Sequence, residues 1–214
     1  MFLWRRKKVR VTSDIEDVNL QTVKAPMLLL HCCCAPCTTA VLERLLPEYD
    51  VTLFFCNSNI DSIEEFNKRA SEMRKINHLM LTDFCSDSIN QKQLDLIIHD
   101  YDNIDFEDIF ELSPNEPEGG KRCHDCIGLR LKKTMEVALS GGFDYFTTTL
   151  SVSPHKNAFL INLIGNYLVG DNNKVCFLEA DFKKQDGFKR SVELSKQIGL
   201  YRQNYCGCVS SVLK

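Results

Sequence analysis

The sequence lacks long apolar segments, a recognisable secretory leader and an excess of either charge. No apolar run in its 214 residues approaches the roughly 18 residues of a membrane span, so no membrane contact is expected. The first ten residues, MFLWRRKKVR, have no apolar signal-peptide core. The 26 basic and 29 acidic residues give a net charge of −3, which excludes a disordered polyion and disfavours a general nucleic-acid coat protein.

Cysteine, in contrast, is abundant, with 11 residues in the chain. A secreted disulfide scaffold is normally shorter and carries a leader, so we expect a cytoplasmic protein with reduced thiols. In that compartment clustered cysteines bind metal or carry out redox chemistry. The cysteines are therefore the first candidates for function.

The chain divides into a short extension and one domain. Residues 1–25 are expected to be a flexible basic and polar extension, with five basic side chains between Arg5 and Arg10. A solubilising tail is the simplest interpretation of that segment, and contact with RNA phosphates or a membrane surface are the alternatives. Residues 26–214 form the predicted catalytic domain.

Short apolar runs alternate with helical periods along this domain. The predicted strands are residues 27–30, 51–56, 94–98, 143–148 and 175–178. Helical periods cover residues 38–46, 127–138, 156–168 and 188–198, and a capping box of Ser62 and Glu65 begins a further helix. This alternation predicts a single α/β domain of Rossmann-like (HUP-like) type, with a parallel sheet covered by helices on both faces.

In such a sheet, ligands bind where strands end and loops lead into helices. The loop after the first strand, residues 31–37, reads HCCCAPC, and the loop at 147–155 is rich in hydroxyl groups. Both loops are expected to open onto the same edge. Topology thus predicts that the hydroxyl-rich loop lines the same pocket as the first cysteines.

Two groups of thiols have the spacing of metal ligands. The first is Cys32, Cys33, Cys34 and Cys37, and the second is the pair Cys123 and Cys126. A C-x-x-C that opens a helix turns two sulfurs toward one metal and lowers the cost of forming thiolates. Two sulfurs from each loop make four, as in a cubane iron–sulfur cluster or a tetrahedral zinc site, and the spacing does not separate these two.

Cys206-Gly-Cys208 near the C-terminus has a different pattern. Two sulfurs separated by one glycine can close a small strained ring, and strained disulfides are easily reduced. The pattern favours a reversible redox pair, with extra metal ligands or inert thiols as alternatives.

The segment 140–144, SGGFD, resembles the pyrophosphate loop of nucleotide-activating enzymes. That loop follows the first strand and ends in serine, whereas this segment follows a predicted helix and continues with Tyr145. Its glycines are better explained as a helix C-cap. We therefore expect no ATP site.

Four segments together resemble one protein family. They are HCCCAPC at 31–37, EPEGGKRCHDC at 116–126, FDYFTTTLSVSPHKN at 143–157 and DFKKQDGFKRSVELSKQIGLYRQNYCGC at 181–208. The resemblance is to epoxyqueuosine reductases of the QueH type and runs from about residue 26 to residue 208. It implies reduction of epoxyqueuosine to queuosine at the wobble position of tRNA, the last step of queuosine synthesis. It also implies a [4Fe–4S] cluster and no need for cobalamin.

The resemblance also implies roles for individual cysteines. Cys33, Cys34, Cys123 and Cys126 match the cluster ligands of the family, and Cys206 and Cys208 match its redox-active disulfide. Cys37 matches a position beside the cluster that is associated with one additional iron. Cys32 matches no ligand position.

Substrate contacts are expected from the hydroxyl-rich loop and from basic residues that attract phosphates. These candidates are Ser151, Ser153, His155, Lys156, Lys183, Lys184 and Arg202. The group that assists departure of the epoxide oxygen is expected to be an iron with an open position or an acid among Asp125, His31, His124 and His155.

The expected partners are tRNA carrying epoxyqueuosine and an electron donor of unknown identity. The alternative function is a zinc-stabilised RNA-binding module without catalysis. A thiol–disulfide exchange protein acting on other proteins is a third hypothesis.

Overall fold

Five parallel strands form the centre of the protein in a computed structural model that describes residues 24–79, 94–171 and 174–211. The strands are β1 (Met27–His31), β2 (Asp50–Phe55), β3 (Asp95–Ile98), β4 (Tyr145–Thr148) and β5 (Cys176–Phe177). They lie in the order β3-β2-β1-β4-β5. All five predicted strands are confirmed, with small shifts at their ends. Most of the predicted extension, residues 1–23, lies outside the described residues.

Within the described ranges, six α-helices connect or follow these strands. They are α1 (Ala35–Leu45), α2 (Ile63–Leu79), α3 (Ile104–Leu112), α4 (Lys121–Gly141), α5 (Ala158–Val169) and α6 (Gly187–Ile198). Helix α3 was not predicted from the sequence; it is a short acidic helix of nine residues, of which only Phe106 is buried. The serine half of the predicted capping box is present, since the backbone N–H of Glu65 donates to Ser62 Oγ at 3.2 Å.

Helices cover both faces of the sheet, which confirms the predicted Rossmann-like architecture. Side chains alternate along β1, so Leu28 and Leu30 belong to one core and Leu29 to the other. Helices α1 and α2 pack in the first core, and α6 packs against α1 on that side. Helices α4 and α5 pack in the second core. The continuous apolar character of β1 follows from burial on both faces.

The direction of the strand order changes at β1. The chain runs outward from β1 through β2 to β3 and then returns to pair β4 on the other side of β1. His31, the last residue of β1, pairs in parallel register with Thr148 at the end of β4. The loops that follow these two residues therefore diverge at one point of the sheet edge, where α/β proteins commonly bind ligands.

Helix α4 ends at the glycine pair that was predicted to be its C-cap. Gly142 is the C-cap of α4 and has a left-handed conformation with φ of 71°, so the 140–144 segment closes a helix. Among the helices of the described residues, none is both long and apolar enough to cross a bilayer.

Candidate active site

Three thiols converge at the start of α1. Cys34 is the N-cap of α1, Pro36 lies in the first turn, and Cys37 follows one turn after Cys34. The sulfurs of Cys33, Cys34 and Cys37 all lie within 4.8 Å of one another, and the Sγ atoms of Cys33 and Cys34 are 3.9 Å apart. We call these three residues the thiol triad.

The thiol triad concentrates negative charge on Cys33. Hydrogen bonds from Cys34 and Cys37 hold the pKa of Cys33 well below its usual range, and the Thr149 hydroxyl donates to the same sulfur at 3.3 Å. The bond to Cys33 raises the pKa of Cys34 to about 12. Bonds to both neighbours likewise raise the pKa of Cys37 well above its usual range. The triad thus favours one thiolate, and a soft metal ion would displace the two remaining protons.

Cys32 lies outside the triad although it is next in sequence. Its side chain is fully buried, and its thiol donates to the carbonyl oxygen of Leu30 at 3.2 Å. Burial raises its pKa far above the ordinary value of a thiol. Cys32 therefore behaves as a buried apolar residue.

The second thiol pair lies in the first two turns of α4. The backbone N–H of Gly119 donates to Cys123 Sγ at 3.2 Å, and burial raises the pKa of Cys126 to about 11. These two cysteines do not belong to the thiol triad, whose sulfurs lie within 4.8 Å of one another. They line a small cavity of about 110 Å³, which Cys206 and Cys208 also line. We call this the inner cavity.

A larger cavity of about 410 Å³ opens beside the thiol triad. All three triad residues line it, together with residues of the hydroxyl-rich loop and the C-terminal segment. We call it the thiol cavity. Six residues line both cavities, namely Glu118, Arg130, His155, Lys156, Cys206 and Ser211. The expected pocket shared by the first cysteines and the hydroxyl-rich loop is confirmed.

Arg130 is the functional residue that the sequence analysis missed most clearly. Its side chain is 2% exposed, its Nε donates to the carbonyl of Cys126 at 3.3 Å, and its Nη1 donates to Asn57 Oδ1 at 3.5 Å. Asn57 in turn donates to the carbonyl of Cys32 at 2.9 Å. The buried guanidinium therefore links both thiol groups and supplies positive charge to them. The sequence signal for Arg130 was its position four residues after Cys126, which places both residues on the same face of a helix.

The predicted substrate residues divide into two groups. Ser153, His155, Lys156 and Arg202 line the thiol cavity. Ser151 is buried outside it and accepts a hydrogen bond from the Phe182 backbone at 3.2 Å. Lys183 pairs with Asp181 at 3.0 Å, and Lys184 is exposed; neither lysine lines the cavity.

The candidate acids also have different surroundings. His31 is fully buried, with Nδ1 2.8 Å from Thr148 Oγ1 and Nε2 3.0 Å from the carbonyl of Cys56. Burial and the charge of Arg130 lower its pKa to about 4, so His31 is a neutral residue with both ring nitrogens engaged. Asp125 pairs with Lys121 near the surface. His124 lines the inner cavity, and His155 lines both cavities.

Two polar atoms at the thiol cavity are buried without partners. Arg202 Nη1 and Gln203 Oε1 make no hydrogen bond to any described residue. A buried polar group left unpaired costs free energy unless a ligand or water satisfies it. Both residues line the thiol cavity, so a rotation of either side chain would bring these atoms to a polar ligand there.

The segment with Cys206 and Cys208 is anchored to α2. Arg69, which is 2% exposed, donates from Nη1 to the carbonyl of Cys206 at 3.0 Å and bonds Glu65 at 2.7 Å. Both cysteines are free thiols in this structure. The segment is therefore held against the cavities by its backbone.

The donor set at the cavities fits a metal group. The candidate ligands are all sulfur atoms, as in iron–sulfur clusters and tetrahedral zinc sites. Cys33 already favours the thiolate form, and Arg130 supplies a compensating charge within the same volume. These features define a Rossmann-like α/β protein with a cluster of thiols that could hold a metal at its topological switch point.

Comparison with known proteins gives the family. The family model described as "Epoxyqueuosine reductase QueH" matches residues 28–214. A protein of that name from Streptococcus pyogenes is 40% identical over 203 residues, which cover 94% of this chain and 76% of the relative. The one from Thermotoga maritima is 34% identical over 192 residues, or 87% of this chain and 91% of the relative. The chain belongs to the epoxyqueuosine reductase QueH family and is an oxidoreductase.

Proposed function

We propose that this protein reduces epoxyqueuosine to queuosine at the wobble position of tRNA. The observation that carries the proposal is the thiol cavity, where the thiol triad, Arg202 and the Cys206 thiol surround one volume of about 410 Å³. Within an oxidoreductase family of this name, that cavity combines redox-capable sulfur with polar groups for a ligand.

The proposed reaction is a deoxygenation. The epoxide takes up two electrons and two protons, both carbon–oxygen bonds to the ring oxygen break, an alkene forms and water leaves. A dithiol that becomes a disulfide releases two electrons and two protons, which balances this change. The resemblance to the family implies a [4Fe–4S] cluster beside this dithiol, and such a cluster, unlike zinc, can change its oxidation state.

We therefore assign the sulfur ligands to a [4Fe–4S] cluster, held by Cys33, Cys34, Cys123 and Cys126. Such a cluster, when bound, supplies single-electron transfer. The contact of Cys37 with the other triad sulfurs supports its proposed role toward one additional iron. Cys206 and Cys208 are the proposed redox-active disulfide.

The remaining cavity residues act on the substrate. Arg202 and Gln203 offer an unpaired donor and acceptor to the modified base. His155 lines both cavities, which supports it as the proton donor to the epoxide oxygen. The tRNA is the proposed substrate, and the electron donor and the cytoplasmic location stay predictions.

The decisive test uses protein purified without oxygen, with its iron and sulfide counted. Incubation with tRNA that contains epoxyqueuosine, a chemical reductant and the protein is expected to yield queuosine, read by mass spectrometry of the digested nucleosides. The protein is expected to be brown, with broad absorption near about 400 nm. A colourless zinc protein that binds tRNA without converting the nucleoside would instead support the non-catalytic RNA-binding alternative.

Replacing Arg202 by Leu is expected to raise KM for the tRNA about tenfold, because a charge-assisted hydrogen bond of roughly 1.5–3 kcal/mol is lost. Iron content should stay unchanged, since no bond between Arg202 and a proposed ligand is seen. The measurement is steady-state deoxygenation at varied tRNA concentration. Lys184→Met is the matched control, because Lys184 is an exposed cation that does not line the cavity. Equal KM increases in both variants would contradict a specific role for Arg202.

A further inference from the structure

The two thiols of Cys206-Gly-Cys208 have unlike surroundings. Cys206 is partly exposed, lines both cavities, and its Sγ accepts a hydrogen bond from Lys156 Nζ at 3.2 Å. Cys208 is 8% exposed, lines only the inner cavity and packs with Phe106 and Cys126. Its thiol has one polar neighbour, Ser211 Oγ at 3.9 Å. One thiol therefore faces open volume and a cation, and the other faces the apolar interior.

Lys156 is positioned for this contact by the local fold. Its backbone N–H closes a turn onto Ser153 at 3.2 Å, and the next residue, Asn157, caps α5 through hydrogen bonds to two backbone N–H groups. Burial works to lower the pKa of Lys156, but the neighbouring Cys206 raises it above the ordinary value. The side chain therefore stays an ammonium group beside Cys206 rather than reaching to a phosphate at the surface.

The backbone fixes which thiol meets Lys156. The N–H of Cys206 donates to Ser211 Oγ at 3.2 Å, and its carbonyl accepts from Arg69 at 3.0 Å and from Asn59 at 3.4 Å. Gly207 has a φ of 131°, and a Cβ there would lie 2.9 Å from Asn59 Nδ2. The glycine lets the segment turn tightly under Asn59, with Cys206 on both cavities and Cys208 on the inner cavity alone.

Other charged groups surround Cys206 as well, but Lys156 is the cation that bonds its sulfur. Arg69 of α2 anchors its backbone. The other titratable and charged side chains line the two cavities around it; they are Cys33, Cys34, Cys37, Glu118, Arg122, Cys123, His124, Cys126, Arg130, His155, Arg202, Tyr205 and Cys208. An ammonium group in hydrogen-bond contact stabilises a thiolate more than cations at longer range.

We propose that Cys206 is the thiol that exchanges with the electron donor, that Cys208 is the leaving thiol of this exchange, and that Lys156 is a positioning residue whose ammonium group stabilises the Cys206 thiolate. This inference rests on the redox role of the pair in the proposed function. The electron donor in this exchange is a dithiol.

The exchange balances in two steps. A donor thiolate attacks Cys206 Sγ in the disulfide, the Cys206–Cys208 bond breaks, and Cys208 leaves as a thiolate that takes a proton. The second donor thiol then loses its proton and attacks its partner sulfur in the mixed disulfide. Cys206 is released as a thiolate next to Lys156. The donor is oxidised to its disulfide, and the pair gains two electrons.

The test is the alkylation rate of each cysteine in the reduced, full-length protein with its metal bound. Iodoacetamide is added at pH 7 without oxygen, and peptides are quantified by mass spectrometry over time. We expect Cys206 to react at least about tenfold faster than Cys208, and Lys156→Met to slow Cys206 by about tenfold, because the ammonium group that contacts its sulfur is removed. Lys156→Arg should restore most of the rate. Lys183→Met is the control, since Lys183 pairs with Asp181 outside the cavities.

Equal reactivity of the two thiols, or an unchanged Cys206 rate in Lys156→Met, would overturn the inference. If Lys156→Met lowers the melting temperature, the ratio of rates in the wild-type protein still decides the order of the thiols, and Lys156→Arg decides the role of the charge. Deoxygenation of tRNA is measured on the same preparations. A fast Cys206 in protein that forms no queuosine refutes the proposed function and supports this inference, whereas conversion with equal thiol reactivity refutes this inference alone.

Discussion

Cys33→Ala and Cys34→Ala are expected to lose the brown colour and to lose the cluster, so that about four iron atoms per chain are missing relative to the unsubstituted protein. Each substitution removes one of the sulfur ligands proposed for the cluster, and the triad sulfurs lie within 4.8 Å of one another. Cys123→Ala and Cys126→Ala should have the same effect from the other side of the site. Deoxygenation activity is lost together with the iron. The measurements are iron and sulfide counts, the absorption spectrum and the tRNA assay.

Three further cysteines provide controls for this result. Cys176→Ala changes an exposed thiol on β5 and should retain iron and activity. Cys32→Ala changes the buried neighbour of the triad and should retain iron even if stability falls. Cys37→Ala is expected to keep the four cluster irons and lose only the additional one. Full iron content in all four ligand variants would refute the assignment.

Cys208→Ser is expected to keep the cluster but to lower multiple-turnover deoxygenation on the order of 10²-fold or more. A single remaining thiol cannot form the intramolecular disulfide, so it cannot deliver a pair of electrons in each turnover. Because Cys208 is buried beside Phe106 and Cys126, iron content and the melting temperature must be measured beside the rate. The assay compares one turnover with many turnovers on the same tRNA.

Cys206→Ser provides the matched variant, since it removes the other half of the pair. Iron loss in either variant would indicate that the pair ligates metal. A lowered melting temperature with normal activity at low temperature would indicate a structural role. Normal multiple turnover in both variants, with iron intact, would rule out the disulfide as a required redox element.

Much of the fold was predictable because local patterns decide it. The apolar runs of all five strands are visible in the sequence, and the parallel arrangement follows from their alternation with helices. Helix α3 was not predicted; it is short and acidic, it buries only Phe106, and Ile104 and Leu112 lie exposed. Helix α4 began earlier than its apolar period indicated, so Cys123 and Cys126 lie inside it.

The site was predictable in its location and in its chemical type. The position of loops 31–37 and 147–155 followed from the rule that parallel strands present their carboxyl ends at one edge. Which side chains meet there did not follow, because a sequence pattern carries no distances between loops. Lys183 and Lys184 are examples of this limit. Their positive charge predicted contact with phosphates, but neither residue lines the thiol cavity.

By itself, the sequence determined the strands, most of the helices, the two cysteine-rich loops and the type of donor atom, since each depends on residues close together in the chain. Only the tertiary structure decided that Cys37 joins Cys33 and Cys34, that Arg130 lies buried between the thiol groups, and that Lys156 bonds Cys206. The pairing of His31 with Thr148 joins residues 117 positions apart. Such contacts depend on the register between β1 and β4 and on the packing of α4 against the sheet, and both arise from the burial of the whole core.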